Sequence, residues 1–442
     1  MLTRRTLLKR GTQMGLAAAT ASLWGTSRGL QAFAQAPLGG YKAVVVITLD
    51  GGNDGNNTIV PIDTVEHTQY ASLRGEVALG AASLLPLAFG TGSQSYGFHP
   101  ALINISQIYN AKRASVVANI GPLAQPATKQ QLIDNPALLP ASLFSHPAGI
   151  QQWESAQTGP APATGWGGRV GDFIASQSGS LPPVLNGGSA SIFPVGNNVQ
   201  GVTVQTGSAW PTLPPGMNEI IEQIATQDSS SSNEMVAAVA KFRDAAMQQQ
   251  VLIDQAMQYG TLRTQFGDPK GFGGVMSTIA QLINGRSVIG ANRQIFYLKQ
   301  GLYDTHQNQL VAHQTCLTEL DTAIGNFMNA LDEMGLTDQV LICTHSDFCR
   351  TMTSNTSAGT DHAWGNHQLI LGGGIYGGRM IGTMPDLDLG GSSDFTGLGT
   401  WIPTLSVTQM TAAIGAWMGL SNSQLASVFP DLANFPTGAI SL

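Results

Sequence analysis

Three aspartates each follow a short apolar run of the kind that forms a buried strand. Asp50 follows the run VVVITL, Asp304 follows the run IFY, and Asp347 follows VLIC. Ligands of an open α/β sheet bind just outside the carboxyl ends of its strands, so we expect these three acids at one edge. Asp304 and Asp347 each have a histidine two residues away, His306 and His345, and this spacing places both side chains on one side of an extended segment. The pattern predicts a site of acidic and imidazole groups.

The histidines are concentrated in the same part of the chain, since five of the eight lie between residues 306 and 367. Carboxylate oxygens mixed with imidazoles suit Zn²⁺, Mn²⁺ or a comparable divalent ion, with Ca²⁺ as a further candidate. We expect Asp304, His306 and His362 to hold one ion. The candidates around a second ion are Asp50 and Asp347, and the candidates for substitute or orienting ligands are Asp361 and His367.

Each of these residues taken alone also has a plain structural interpretation, as a capping aspartate or a hydrogen-bonded loop histidine. The combination of all of them favours the metal site. One histidine of the region, His313, lies on the apolar face of a predicted helix, and we expect it in the core rather than among the ligands.

Two further residues are candidates for catalysis. Ser145, in the segment LFSHP, precedes a predicted helix and is either its N-cap or a nucleophile at the positive end of the helix. Its neighbour His146 either binds metal or turns inward and leaves Ser145 as the cap. Arg350 follows Asp347 closely and either holds an oxyanion or pairs with that carboxylate.

Short apolar runs that alternate with amphipathic helices predict an α/β fold with a mainly parallel sheet. The predicted strands cover residues 42–49, 114–120, 294–298, 339–343 and 368–371, and the clearest helix covers residues 307–334. Residues 208–286 differ in composition and predict a helical insertion, with helices near residues 233–259 and 275–284. This insertion is either a lid over the site or a plain connecting layer.

Composition and the first residues indicate an exported protein. The segment 1–36 carries Arg4 and Arg5 before a short apolar stretch, which is typical of a twin-arginine signal peptide, with an ordinary signal or an anchor as the alternative. Its removal leaves 15 basic and 27 acidic residues, a net charge of −12, which argues against binding to nucleic acid. No later stretch approaches the ~18 apolar residues of a membrane span. We expect a periplasmic or extracellular location for the domain of residues 37–442.

Several ordered motifs together resemble one exported bacterial family. They include LDGGNDGNNTIVP, TGWGGRVGD, GLYDTH, THSDFCRT, GTDHAWGNH and VFPDLANF, and they extend over essentially the whole mature chain. The family is called domain of unknown function 1501, and it is regarded as a remote relative of the alkaline phosphatase and sulfatase superfamily. The resemblance implies a three-layer α/β/α fold with two metal ions held by Asp and His at strand ends.

The superfamily's order of functional residues is an early Asp, a Ser, Thr or Cys nucleophile at a helix start, an Asp–His pair, a second acidic pair and a late His. The residues that follow this order here are Asp50, Ser145, Asp304 with His306, Asp347, and Asp361 with His362. The resemblance therefore implies a metal-dependent hydrolase of phosphate or sulfate esters, small or polymeric. The alternative is a non-catalytic secreted or surface protein with a structural or vestigial metal site.

Overall fold

A computed structural model describes residues 40–88, 94–188, 190–205 and 231–442, together with the single residues 216, 220, 223 and 228. The predicted signal peptide and much of the first part of the predicted insertion lie outside these residues. The strands are β1 (Lys42–Leu49), β2 (Ile59–Pro61), β3 (Leu85–Pro86), β4 (Tyr96–Phe98), β5 (Ala114–Gly121), β6 (Val184–Asn186), β7 (Val202–Thr203), β8 (Arg293–Gln300), β9 (Val340–Ser346), β10 (Asn366–Gly372), β11 (Arg379–Ile381) and β12 (Leu405–Ser406).

The α-helices of the described residues vary widely in length. They are α1 (Gly55–Thr58), α2 (Thr64–Arg74), α3 (Ile103–Asn110), α4 (Lys129–Asp134), α5 (His146–Ser155), α6 (Trp166–Ile174), α7 (Glu234–Met257), α8 (Phe272–Asn284), α9 (Arg286–Ile289), α10 (Gln309–Met334), α11 (Val407–Trp417) and α12 (Asn422–Val428). In this part of the chain, no helix is long and apolar enough to cross a membrane.

The central sheet has nine strands in the order β11-β5-β10-β9-β1-β8-β6-β7, and β12 also pairs with β5. Strand β1 lies between β8 and β9 and runs parallel to both. Strand β10 is antiparallel to its two neighbours, β5 and β9. The predicted mainly parallel α/β sheet is confirmed, and all five predicted strands are present.

Alternate residues of β1 explain why helices cover both faces of the sheet. Val45 and Ile47 pack into one core, with apolar residues of α3, α8 and α10. Val44 and Val46 pack into the other core, with residues of α6, α11 and α12. A strand buried on both faces needs a continuous apolar run rather than an alternating one, which is what the sequence carries. The result is the three-layer α/β/α arrangement.

The long helix α10 and its neighbour α8 form one of the covering layers. His313 lies on the buried face of α10, as expected from the helical pattern. Apolar residues of α8, including Met276 and Ile279, belong to the same core as Leu317 and Leu320 of α10. Helix α8 is therefore part of a packed layer, which is one of the two interpretations of the segment 208–286.

The carboxyl ends of β1, β8 and β9 meet at one edge of the sheet, because the three strands are adjacent and parallel. The antiparallel strand β10 begins at the edge where those three strands end. Four loops consequently meet there, at residues 50–54, 301–308, 347–351 and 361–365. A smaller sheet of β2, β4 and β3 lies apart from the central one.

Candidate functional site

One group of acidic and imidazole side chains stands out at this edge. His146, Asp304 and His362 each offer a ligand atom, and these atoms lie within 4.8 Å of one another. His146 Nε2 is 3.6 Å from Asp304 Oδ2, whereas His362 Nε2 is 3.7 Å from Asp304 Oδ1. His306 joins them, with its Nε2 3.1 Å from Asp304 Oδ1 and 2.9 Å from His362 Nε2. Either His146 or His306 can thus complete a three-residue set around Asp304 and His362.

Each imidazole is held through its other nitrogen. His306 Nδ1 lies 3.0 Å from Asp361 Oδ1, and His146 Nδ1 lies 2.6 Å from Asp347 Oδ2. His362 Nδ1 lies 2.7 Å from the carbonyl oxygen of Phe144, so this nitrogen donates and its Nε2 carries the lone pair. Metal-ligating histidines are usually held in this way, with carboxylate or carbonyl partners on the outer nitrogen. All three Nε2 atoms face the Asp304 carboxylate.

The backbone around His362 explains its position. Residues 349–351 and 361–364 pair as short extended segments, through Ala363 N to Cys349 O at 2.8 Å and Thr351 N to Asp361 O at 2.9 Å. Phe144, which accepts from His362, has a φ of 74°, in the left-handed region that L-residues avoid. A strained backbone that presents a carbonyl to an imidazole is a feature found at functional sites.

Two glycines allow the loops and α5 to approach the site. Gly51 has a φ of 115°, and a Cβ at this position would lie 2.5 Å from Asp304 N. Its own N–H donates to both carboxylate oxygens of Asp347, each at 3.2 Å. In α5, a Cβ on Gly149 would lie 2.6 Å from the carbonyl oxygen of Asp347. Gly149 therefore lets α5 bring His146 against Asp347.

Arg350 does not pair with Asp347, and its guanidinium is committed elsewhere. It forms an ion pair with Asp304, and its side chain is fully buried. It also donates to the backbone carbonyls of Gly51 (2.6 Å), Gly52 (3.0 Å), Thr360 (3.1 Å) and Tyr303 (3.2 Å), and its Nη1 lies 3.4 Å from Nε2 of His306. These contacts engage all three nitrogens of the guanidinium, and a role of Arg350 at a substrate oxyanion stays a prediction. Arg350 holds the loops of the site together.

The surroundings lower the pKa of Asp304, raise the pKa of His146 and lower the pKa of His362. Burial by itself would raise the pKa of Asp304, but the hydrogen bond and charge of Arg350, with nearby histidines, bring this pKa below its usual value. The hydrogen bond with Asp347 raises the pKa of His146, while burial lowers the pKa of His362. Asp304 is thus a carboxylate over a wide pH range, as a metal ligand must be.

Asp50 and Asp347 lie beside this group rather than within it. Burial raises the pKa of Asp50, and the neighbouring Asp347 carboxylate raises it further. Asp347 is fully buried and accepts from His146 and Gly51. The Asp347 carboxylate is placed to orient the ring of His146. The binding of a second ion by Asp347 stays a prediction.

His367, His345 and Ser145 take positions that the spacing alone did not reveal. His367 Nδ1 accepts from Asn119 N at 3.0 Å, and the side chain lines a separate small cavity; burial lowers its pKa to about 4. His345 is buried within β9, 2.8 Å from Thr48 Oγ1. Ser145 directly precedes α5 but makes no capping hydrogen bond. The structure does not bring His367 or His345 into the group around Asp304.

His146 is the residue that the sequence left undecided. The sequence left open whether His146 binds metal or turns inward, and the close packing of α5 on the end of β9 turns it towards Asp304. The available signal was its place as the first residue of a helix that follows the second strand of the sheet.

Solved structures with a related arrangement are remote. They include a protein in the alkaline phosphatase superfamily from Vibrio parahaemolyticus, with 10% identity, a TM-score of 0.36 and coverage of 90% of this chain and 71% of that one. The phosphonate monoester hydrolase of Agrobacterium radiobacter has 10% identity, a TM-score of 0.37 and coverage of 86% and 74%. The PsFucS1 sulfatase from Pseudoalteromonas sp. has 11% identity, a TM-score of 0.35 and coverage of 87% and 68%. Similarity this low says nothing about the chemistry of the site.

The sequence itself matches a family along most of its length, although no curated protein matches it. The match extends over residues 41–426 and includes every strand of the central sheet and all residues of the site. The family is described as "Protein of unknown function (DUF1501)", and the match confirms the resemblance of the motifs. The chain belongs to the DUF1501 family.

Proposed function

We propose that the protein is an exported, metal-dependent hydrolase of phosphate or sulfate esters, small or polymeric. The observation that carries the proposal is the convergence of three imidazole Nε2 atoms on the half-exposed carboxylate of Asp304 at the carboxyl edge of a parallel sheet. Ligands of open α/β sheets bind at this edge. The ester class of the substrate is inferred from the motif resemblance, and the position of the site is inferred from the geometry.

The donor set fits a divalent transition ion. Nε2 of His146 is buried and has no hydrogen-bond partner, which is an unfavourable state for an imidazole nitrogen unless a ligand or reactant meets it. One carboxylate with two or three imidazoles suits Zn²⁺ or Mn²⁺ better than Ca²⁺, which prefers oxygen ligands alone. We assign the ion to Asp304, His306 and His362, with Asp361 holding His306 in place. Asp50 and Asp347 remain the candidates around a second ion.

The ion would polarise the ester and neutralise charge that develops on its oxygens. The chain's own residues prepare the site for this. Arg350 fixes Asp304 and the loops that carry it, and Phe144 and Asp361 fix the rings of His362 and His306. Asp304 is 49% exposed, so an ester in solution can reach its carboxylate.

Export completes the proposal. Residues 1–36 have the features of a twin-arginine signal, and the strongly acidic remainder suits a periplasmic or extracellular protein that acts on small or polymeric esters. The twin-arginine route carries folded proteins, so a metal can be inserted before export. Replacement of Arg4 and Arg5 by Lys should retain the protein in the cytoplasm, and unchanged export would reject this route.

A panel of chromogenic phosphate and sulfate esters, each assayed with added Zn²⁺, Mn²⁺ or Ca²⁺, tests the activity. We expect turnover that needs one of the first two ions and that disappears in Asp304→Ala. His67→Ala is the matched control, because His67 lies on α2 and bonds the carbonyl of Leu79 rather than the site. Absence of turnover with every ester and ion would contradict the proposal.

One observation favours the second candidate, a secreted protein whose site is structural. The buried guanidinium of Arg350 pairs with the same Asp304 oxygen that His306 and His362 approach, so part of the carboxylate's charge is already neutralised. This candidate predicts no metal-dependent turnover and little metal binding, and the same ester panel separates it from the hydrolase.

A further inference from the structure

His146 forms a dyad with Asp347 at the start of α5. Nδ1 of His146 lies 2.6 Å from Oδ2 of Asp347, whose side chain is fully buried and is itself fixed by the N–H of Gly51. A carboxylate that accepts from Nδ1 keeps the lone pair of a neutral imidazole on Nε2 and stabilises the ring when it becomes positively charged. This arrangement activates Nε2 as a base or a nucleophile.

The two oxygens of Asp304 divide the site into two sides. Oδ1 is the oxygen approached by His306, His362 and Arg350. Oδ2 faces Nε2 of His146 at 3.6 Å. An ion on the Oδ1 side, between His306 and His362, leaves the Nε2 of His146 next to the ion without binding it.

Ser145 lacks what a hydroxyl nucleophile needs. In the described part of the chain, no base is hydrogen-bonded to its hydroxyl, and the side chain does not cap α5 either. A serine hydroxyl is weakly nucleophilic unless an adjacent base or a metal ion activates it. The activated group at this helix start belongs to the next residue, His146.

We propose that Nε2 of His146, rather than the hydroxyl of Ser145, is the nucleophile of this site towards the phosphate esters among the proposed substrates. The inference rests on the proposed hydrolase function and narrows it, because it assigns the covalent step to an imidazole.

The step balances without any further reactant than water. The lone pair of Nε2 attacks phosphorus, the bond from phosphorus to the ester oxygen breaks, and the departing oxygen takes a proton from water. The phosphoryl group is then on Nε2, and Asp347 stabilises the ring through the proton on Nδ1. A water molecule attacks phosphorus next, the electron pair of the N–P bond returns to Nε2, and inorganic phosphate leaves. The N-terminus of the ten-residue helix α5 favours the negative phosphoryl group.

The test is covalent labelling of the full mature chain, loaded with Zn²⁺ or Mn²⁺, by phosphoramidate and by a chromogenic phosphate ester under acid-free quench. Intact mass should show one added phosphoryl group, and peptide mapping should place it on His146. The adduct should survive alkali and be lost in acid, which is the behaviour of a phosphoramidate and the reverse of a phosphoserine. His146→Asn should abolish labelling, and His67→Asn, a histidine outside the site, should label like the wild type.

Metal content and melting temperature of each variant separate this inference from its rivals. We expect His146→Asn to keep the wild-type metal content and fold while it loses the adduct, and Ser145→Ala to keep the adduct. Loss of metal in His146→Asn would make His146 a ligand and overturn the inference. An acid-stable adduct that Ser145→Ala abolishes would assign the step to Ser145. Metal-dependent ester turnover with no adduct would overturn the inference and leave the hydrolase proposal standing, whereas no turnover and no adduct would reject both.

Discussion

Two aspartate–arginine pairs lie at the same edge of the sheet and differ in exposure. Asp54 and Arg74 are both 0% exposed, and Asp54 also accepts from Gln309. Asp304 pairs with the equally buried Arg350 but is itself 49% exposed. The ion pair of Asp54 with Arg74 thus lies entirely inside the protein, whereas the ion pair of Asp304 with Arg350 leaves the carboxylate half exposed to solvent.

The partners of the two carboxylates extend this contrast. Arg74 uses its remaining donors on Asn57 Oδ1 and on the carbonyls of Thr351 and Met352, so the inner pair is surrounded by protein. The outer carboxylate has imidazoles around it, one of which has a buried nitrogen with no partner. Oδ1 of Asp54 is also buried without a hydrogen-bond partner, so the exposure of Asp304 and the imidazoles around it, rather than an ion pair or an unpartnered buried atom, distinguish the candidate site from the inner pair.

The largest expected effect is the loss of stability when the inner pair, Asp54 with Arg74, is broken. Asp54→Asn leaves the buried guanidinium of Arg74 without a counter-charge, and breaking a buried pair in this way destabilises a protein by about 3–5 kcal/mol. Urea denaturation should show this loss, with metal content of the folded fraction unchanged. A loss below about 1 kcal/mol would mean that the inner pair does not have the structural role described here.

The second effect is a pH dependence of the free energy of unfolding, which arises at His313 near the buried pair of Asp54 and Arg74. His313 bonds Asn53 beside the inner pair, and burial lowers its pKa to about 3. In the unfolded chain, His313 takes up a proton near the ordinary histidine pKa of about 6.5. The contribution of the neutral, buried His313 to the free energy of unfolding is therefore complete above that pH and is lost as the pH falls towards 3. It amounts to about 2 kcal/mol between pH 7.5 and pH 5.

Denaturation of the wild type and His313→Gln at both pH values measures this contribution, because glutamine cannot take up the proton. We expect the variant to lose less stability on acidification than the wild type. Equal losses in the two proteins would show that His313 does not carry the effect.

The third effect belongs to the outer region. Asp361 holds Nδ1 of His306 at 3.0 Å, and removal of such an outer partner lowers metal affinity by about tenfold to 100-fold. Titration calorimetry of Asp361→Asn with Zn²⁺ should show this drop. Asp134→Asn, at the exposed end of α4, is the control and should bind like the wild type. An Asp361 variant that also matched the wild type would remove His306 from the site.

The smallest effect is the stability change in Asp304→Asn. Arg350 keeps four backbone carbonyls as partners, and the carboxylate that it loses is half exposed, so we expect less than about 1 kcal/mol. Urea denaturation beside Asp54→Asn gives the direct contrast between the two pairs. Equal destabilisation by both substitutions would erase the distinction between them.

Much of the fold could be predicted because it depends on continuous apolar runs. The strand β1 and the long helix α10 follow directly from their patterns, and the position of His313 in the core follows from helical spacing. Asp304 and His306 could be placed at the carboxyl edge because they follow a predicted strand, whereas His362 precedes β10 and lies at the same edge only because that strand is antiparallel.

The remaining details depend on contacts between distant segments. A register shift between Asn366 and Gln368 alters the alternation of β10, so spacing could not predict the direction of His367. Arg350 pairs with Asp304 across 46 residues rather than with Asp347, three positions away. His146 enters the site because Gly149 lets α5 pack against β9, and a single sequence carries no signal for that contact.

The central claim is that Asp304, His306 and His362 hold a divalent ion. The most direct measurement is the Zn²⁺ and Mn²⁺ content of the folded protein by elemental analysis, together with titration calorimetry of the metal-stripped chain, for the wild type, Asp304→Ala and His306→Ala. We predict that the wild type carries bound metal and that both variants lose it, while their melting temperatures stay close to that of the metal-stripped wild type. Equal, negligible metal in all three proteins would contradict the account.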